Sequence, residues 1–169
     1  MTEIKLSPKG KLLTEFFEGR RTKAYQDTAG IWTIGIGHTK RVKSGMVISD
    51  TKVDELFQED IKDALQRVKD YLTVEATQPE LDVLINQAFN LRSYKKLATY
   101  FNQDKSLWRK KMLLYANDVQ GHPLKGLKIR RISERLLSES RDWLEFAKWG
   151  QLKSTSVQMI LNKEKELFV

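Results

Sequence analysis

The sequence predicts an α+β protein, mainly helical, with a small antiparallel sheet near its N-terminus and a larger helical part joined to it by one long helix. Three observations carry that class. Residues Ile31-Trp32-Thr33-Ile34-Gly35-Ile36 are rich in β-branched and aromatic types and follow the turn-forming run Asp27-Thr28-Ala29-Gly30. From Asp50 an apolar stripe continues at helical spacing through Val53, Leu56, Phe57, Ala64, Leu65, Val68 and Leu72. The segments read beyond it are all helical.

Taken in order, Ser7-Pro8 reads as an N-cap followed by proline at the first helical position. Leu12, Leu13, Phe16 and Phe17 recur at helical spacing and Gly19 suits a stop, so a short helix over about 8–18 ends on Glu18. Between Lys23 and Thr39 a hairpin or three-stranded sheet is expected, with Gly30, Gly35 and Gly37 permitting tight bends or close backbone approach. Thr77-Gln78-Pro79-Glu80 fits a capping box that opens a helix through Leu81, Leu84, Ile85, Ala88 and Phe89. Further helices are expected around 106–119, with Trp108, Met112, Tyr115, Ala116 and Val119, and from about 126 onward. Gly150 is read as a separator before a last amphipathic stretch using Val157, Ile160, Leu161 and Leu167. The whole forms one domain, 1–169, with a sheet-bearing lobe over about 1–49, an interlobe helix over 50–72, a helical lobe over 73–169 and a tail from 150. A cleft between two such lobes is the expected binding site.

Composition narrows the chemistry. The 169 residues are 40% hydrophobic and 31% charged, which suits a globular protein and not a disordered one. There is no cysteine, which excludes disulfides, thiolate catalysis and cysteine-ligated zinc. His38 and His122 are the only histidines, too few for a histidine-rich metal site, so no metal or cofactor is expected. No early apolar stretch approaches the roughly 18 residues that a membrane span needs. Met1-Thr2-Glu3-Ile4-Lys5 lacks the build of a signal peptide, so synthesis and folding in the cytoplasm is the expectation. The net charge of +8 favours an anionic partner: nucleic acid, a membrane face or a cell-wall polymer. No nucleic-acid motif accompanies it, and the basic residues are spread along the chain, so specific nucleic-acid binding is not expected.

The chemistry-bearing segment runs from Glu18 to Thr39. A carboxylate ends a helix, Asp27 follows nine positions later at a turn, and the Thr33 hydroxyl six after that. Glycoside hydrolysis uses such a pair of carboxylates across one bond, one giving a proton to the leaving oxygen and the other staying charged. Apolar burial favours the first state and hydrogen bonds to the charged form favour the second. Phe16 and Phe17 beside Glu18 suggest an apolar side to its site, whereas a turn offers Asp27 backbone N–H groups and water. The plainer reading stands beside this one, because helix-end Glu is commonly solvated and Asp in a turn commonly serves the turn.

The run Glu18-Gly19 to Ala24-Tyr25-Gln26-Asp27, then Gly30-Ile31-Trp32-Thr33-Ile34-Gly35-Ile36-Gly37-His38-Thr39, resembles the signature of the phage-type lysozyme (endolysin) family. Leu56-Phe57-Gln58-Glu59-Asp60-Ile61 resembles the start of that family's interlobe helix. Leu84-Ile85-Asn86-Gln87-Ala88-Phe89-Asn90 resembles its central core helix, and Gly126-Leu127-Lys128-Ile129-Arg130-Arg131 a late element. The resemblance implies a lysozyme-like two-lobe fold, no cofactor, a monomer, and bacterial peptidoglycan as the partner. It implies that Glu18 protonates the glycosidic oxygen between N-acetylmuramic acid and N-acetylglucosamine while Asp27 and Thr33 hold water on the opposite face. That is an inverting scheme, which requires carboxylates about 6.5–9.5 Å apart. It implies glycan contacts at Thr39 and Phe89, although Phe89 also fits ordinary core, and a structural ion pair between His38 and Asp60.

It further implies action on the wall from the periplasm, after a separate protein has permeabilised the membrane. A lytic transglycosylase and a non-catalytic wall-binding module are the competing readings. Arg130 and Arg131 either face the acid or an acidic partner, or make one surface contact and one cap. His122, beside Pro123, reads as a loop residue. Leu91-Arg92-Ser93-Tyr94-Lys95-Lys96 departs from the family's glycine-bearing loop, which bears on one wall of the cleft. The basic tail from Lys148 either packs back on the helical lobe or meets an anionic membrane or wall polymer.

Overall fold

In the computed structural model, residues 3–27, 29–118 and 120–168 are described. Among them stand eight helices and one two-stranded sheet. Helix α1 (Pro8–Glu18) starts as the sequence predicts, the Ser7 side chain accepting from the Gly10 N–H, and ends at Gly19, whose φ of 77° turns the chain away. Strands β1 (Arg21–Gln26) and β2 (Trp32–Gly35) pair antiparallel, with Tyr25 opposite Thr33 and Gln26 opposite Trp32. The alternative of a third strand reduces to a bridge between Lys23 and Val47, flanked by backbone bonds from Ala24 N to Met46 O and from Ile48 N to Thr22 O.

Helix α2 (Asp50–Tyr71) is capped by Ser49 and buries Val53, Phe57, Ile61, Ala64 and Val68. Its 22 residues extend about 33 Å. One side meets the sheet and the other meets α3 (Gln78–Asn90) and α4 (Tyr94–Gln103). Helix α3 lies at the centre. Leu81, Val83, Leu84, Ile85 and Ala88 are almost wholly buried, and α1 and α6 (Lys125–Ser138) pack against it. The remaining helices are α5 (Lys105–Met112), α7 (Leu144–Gln151) and α8 (Val157–Leu167). One apolar core runs from Leu13 and Ile36 through α2 and α3 to Trp143, Phe146 and Ile160. No helix among the described residues is long and apolar enough to cross a membrane.

Within Leu91–Lys96, the segment that departs from the family's loop, α4 begins at Tyr94, whose ring is fully buried. Two expectations change. The helix expected over 106–119 ends at Met112. Beyond it, the Asp118 carboxylate accepts from the N–H groups of Gln120 and His122, and Leu124 N bonds Ala116 O, closing a loop instead. Val119 lies outside the described residues. Gly150 is not a separator but a member of α7: a Cβ there would come within 2.9 Å of Ile129 Cγ1, so the glycine lets α7 lie against α6. The break falls later, before Ser156, which caps α8.

The tail packs back on the helices. Ile160 is fully buried, Lys128 Nζ meets Glu164 Oε2 at 3.0 Å, and Arg135 stacks on the Phe168 ring at 3.8 Å.

Candidate active site

Because α1 stops at Gly19, its last side chain points past the helix end and not along a continuing surface. There Glu18 Oε1 accepts from Arg130 Nη1 at 2.8 Å, and the Arg130 guanidinium lies 5.6 Å from the Phe17 ring centroid. Arg130 also donates to Asn86 Oδ1, from Nε at 3.4 Å and from Nη2 at 3.2 Å. A Cβ at Gly37 (φ 73°) would stand 3.2 Å from Glu18 Oε2, so the glycine lets backbone close over the carboxylate. Glu18 lines a cavity of about 500 Å³ together with Thr39, Lys40, Asp60, Asp63, Arg67 and residues 88–90 of α3. Its walls are mixed, the charged groups of Glu18, Lys40, Asp60, Asp63 and Arg67 standing beside Ala64, Ala88 and the Phe89 ring.

Asp27 closes the β1–β2 turn. Its Oδ1 accepts from Ala29 N and Ile31 N, each at 2.8 Å. Thr33 is 4% exposed, and its hydroxyl donates to Ile31 O at 3.0 Å. One residue, Ile31, therefore ties the carboxylate and the hydroxyl together, N–H to one and C=O to the other. Neither Asp27 nor Thr33 is among the residues lining the cavity that holds Glu18.

Thr39 is exposed at that cavity. Phe89 does two things: it packs 5.9 Å from Phe57 at the edge of the core, and it lines the cavity. His38 Nδ1 stands 2.7 Å from Asp60 Oδ2, and its Nε2 stands 2.9 Å from Lys40 O. Both ring nitrogens therefore have an oxygen partner. The pair fastens the turn after β2 to α2. His122 is exposed in the loop, 3.3 Å from Asp118 Oδ2. No group of three or more His, Cys, Asp or Glu side chains with metal-binding geometry occurs among the described residues.

The arginines on α6 follow neither the surface nor the capping pattern. Arg130 is 8% exposed and Arg131 0%. Arg131 Nη2 lies 2.9 Å from Glu134 Oε1 and donates to Asn90 Oδ1 at 3.3 Å. The sequence reading did not single out Asn86, Asn90 or Glu134 as functional. Their signal was present: Asn86 and Asn90 at i and i+4 along Leu84–Asn90, and a carboxylate four positions after Arg130.

The family model described as phage lysozyme matches residues 15–134, a stretch holding every side chain just placed around Glu18. The chain belongs to the phage lysozyme family. An endolysin of Bacillus phage B103 is 34% identical over 141 residues, covering 79% of this chain and 54% of that protein. The chain's matches span 54–59% of the length of the first curated relatives. Among solved structures, an endolysin from Escherichia coli O157:H7 phage FAHEc1 superposes with a TM-score of 0.71 at 30% identity, covering 79% of this chain and 92% of that one. The muramidase domain of SpmX from Asticaccaulis excentricus gives 0.72 at 27% identity, covering 79% and 97%. The lysozyme-like fold, mainly helical with a small antiparallel sheet, is thereby established for this family member.

Proposed function

We propose that this phage lysozyme family member is an endolysin that hydrolyses the β-1,4 bond between N-acetylmuramic acid and N-acetylglucosamine in bacterial peptidoglycan. The carrying observation is Glu18, a carboxylate fixed at a helix end by Arg130 in the wall of a 500 Å³ cleft. Glu18 is the general acid that protonates the leaving glycosidic oxygen. Asp27, held by two backbone N–H groups, and Thr33, held to the same residue, position the water for attack from the other face. Thr39 and Phe89 contact the glycan. The cleft lies between two lobes of a single domain, with α2 as the connector. The enzyme acts as a monomer on the cell wall and needs no cofactor, and its net charge of +8 draws it to that anionic polymer.

The deciding measurement is mass spectrometry of fragments released from purified peptidoglycan by the parent and by Glu18→Gln. Reducing-end muropeptides from the parent alone, with circular dichroism showing both proteins folded, are the expected result. Anhydro-sugar ends would replace the hydrolase with a lytic transglycosylase, and release of nothing by either protein would leave a wall-binding module.

A further inference from the structure

Glu134 is a buried carboxylate that the proposed mechanism does not use. It is 0% exposed on α6 and forms the hub of a chain of charges and dipoles inside the helical core. Arg131 Nη2 stands 2.9 Å from its Oε1, and Arg130 Nε 3.5 Å from the same oxygen. Gln87 Nε2 donates to its Oε2 at 3.2 Å, and Trp108 Nε1 donates in turn to Gln87 Oε1 at 3.1 Å. Arg131 Nε and Nη1 and Glu134 Oε1 have no hydrogen-bond partner among the described residues, so the two arginines meet Oε1 by charge and not by a formed hydrogen bond, and burial pushes the Arg131 guanidinium down to about 10. Stability does not call for such an arrangement. Apolar residues of similar volume commonly serve a core as well as a buried ion pair, or better.

What the arrangement has instead is two outlets, both onto the cleft. Arg130 passes from Glu134 to Glu18 Oε1 at 2.8 Å, and Arg131 passes to Asn90, which lines the cavity. Arg130 thus hydrogen-bonds Glu18 Oε1 on one side and Asn86 Oδ1 on the other, with the Glu134 charge 3.5 Å behind its Nε. Packing alone confines a guanidinium poorly, because its long stem has many rotamers. A fixed charge four residues along the same helix confines it well, and buried networks whose members hold one another specify a single geometry.

We propose that Glu134 is a positioning residue for Glu18, acting through Arg130 and, along the second outlet, through Arg131 and Asn90. The inference rests on Glu18 being the general acid. A misplacement of the acid by a fraction of an ångström acts on the chemical step and leaves binding of the glycan largely alone.

The test uses Glu134→Gln and the charge-balanced double variant Arg131→Met/Glu134→Gln, which removes the hub without stranding a buried cation. Thermal unfolding first selects the folded variant. The expected result is a kcat for reducing-end release lowered about tenfold or more, with apparent KM within about twofold of the parent. Solvent exchange of the Arg130 Nε–H, read by proton–nitrogen NMR, is expected to be faster than in the parent. A folded double variant with parental kcat and parental Arg130 exchange would overturn the proposal, as would a loss confined to KM. If the parent itself releases no fragments, the enzymatic reading has failed, and Arg130 exchange still decides whether Glu134 holds Arg130.

Discussion

The division of labour around Ile31 explains why Asp27 and Thr33, in the water-positioning role proposed for them, should differ in importance. In the proposed mechanism Asp27 supplies a charge opposite the developing cation, whereas Thr33 supplies one hydroxyl that already has a partner in Ile31 O at 3.0 Å. Asp27→Asn should reduce turnover by about 100-fold or more and Thr33→Ala by about tenfold, measured as initial rates on purified peptidoglycan. Equal losses would mean that the hydroxyl does more than assist. At His38 the expected quantity is a coupling free energy of about 2 kcal/mol with Asp60, from urea unfolding of the single and double alanine variants. A value near zero would reduce the pair to a contact without energetic weight. Position was legible where it was local, with Glu18 at a helix stop and Asp27 in a turn, whereas the His38–Asp60 contact, 22 residues apart, followed only from the family resemblance. Glu134 was not legible, because its meaning depends on Gln87 and Arg130 reaching it from two helices, and a Glu in a charged run looks solvated.

At the scale of elements, α3 shows how one cap serves several parts. Glu80 Oε2 accepts from Thr77 N at 2.9 Å and from Lys105 Nζ at 2.8 Å, and its Oε1 meets Arg109 Nη2 at 2.8 Å. The start of α3 is thereby bound to α5. Burial pushes the Glu80 carboxyl up, and the Lys105 and Thr77 hydrogen bonds with the Lys105 and Arg109 charges bring it below its ordinary value. The group therefore contributes stability that is full above the unfolded-state value of about 4.3 and is lost as pH falls through the folded value. Glu80→Gln should cost about 3 kcal/mol at pH 7 and flatten the acid limb of a stability–pH curve, measured by urea unfolding between pH 2 and 7. A curve parallel to the parent's would assign the acid limb to other carboxylates. Helices α1, α2 and α3 were readable because cap and stripe agree in each. The ends of α4, α5 and α7 were not, since they depend on contacts distant in sequence: the buried Tyr94 ring, the Asp118 loop and the seat of Gly150 on Ile129.

For the whole molecule, the family match ends at residue 134 but the core does not. Trp143, Phe146 and Ile160 belong to the same apolar mass as α2 and α3. Ile160→Ala should lower stability by about 3 kcal/mol by thermal or urea unfolding, without changing which muropeptides are released. A neutral effect would make α8 an appendage. The mainly helical class and the small sheet could be foreseen from periodicity, which each segment carries by itself. That the tail packs back was one of two readings its amphipathic stretch allowed, but where α7 and α8 seat is written in shape complementarity across the chain. The Glu18–Arg130 contact joins positions 112 residues apart. At ribosomal speeds of about 5–20 residues per second, roughly 6 to 22 seconds separate the making of the acid from the making of its anchor. The proposed catalytic centre is therefore among the last features a nascent chain completes, and a fragment cut off before α6 would carry Glu18 without its Arg130 partner.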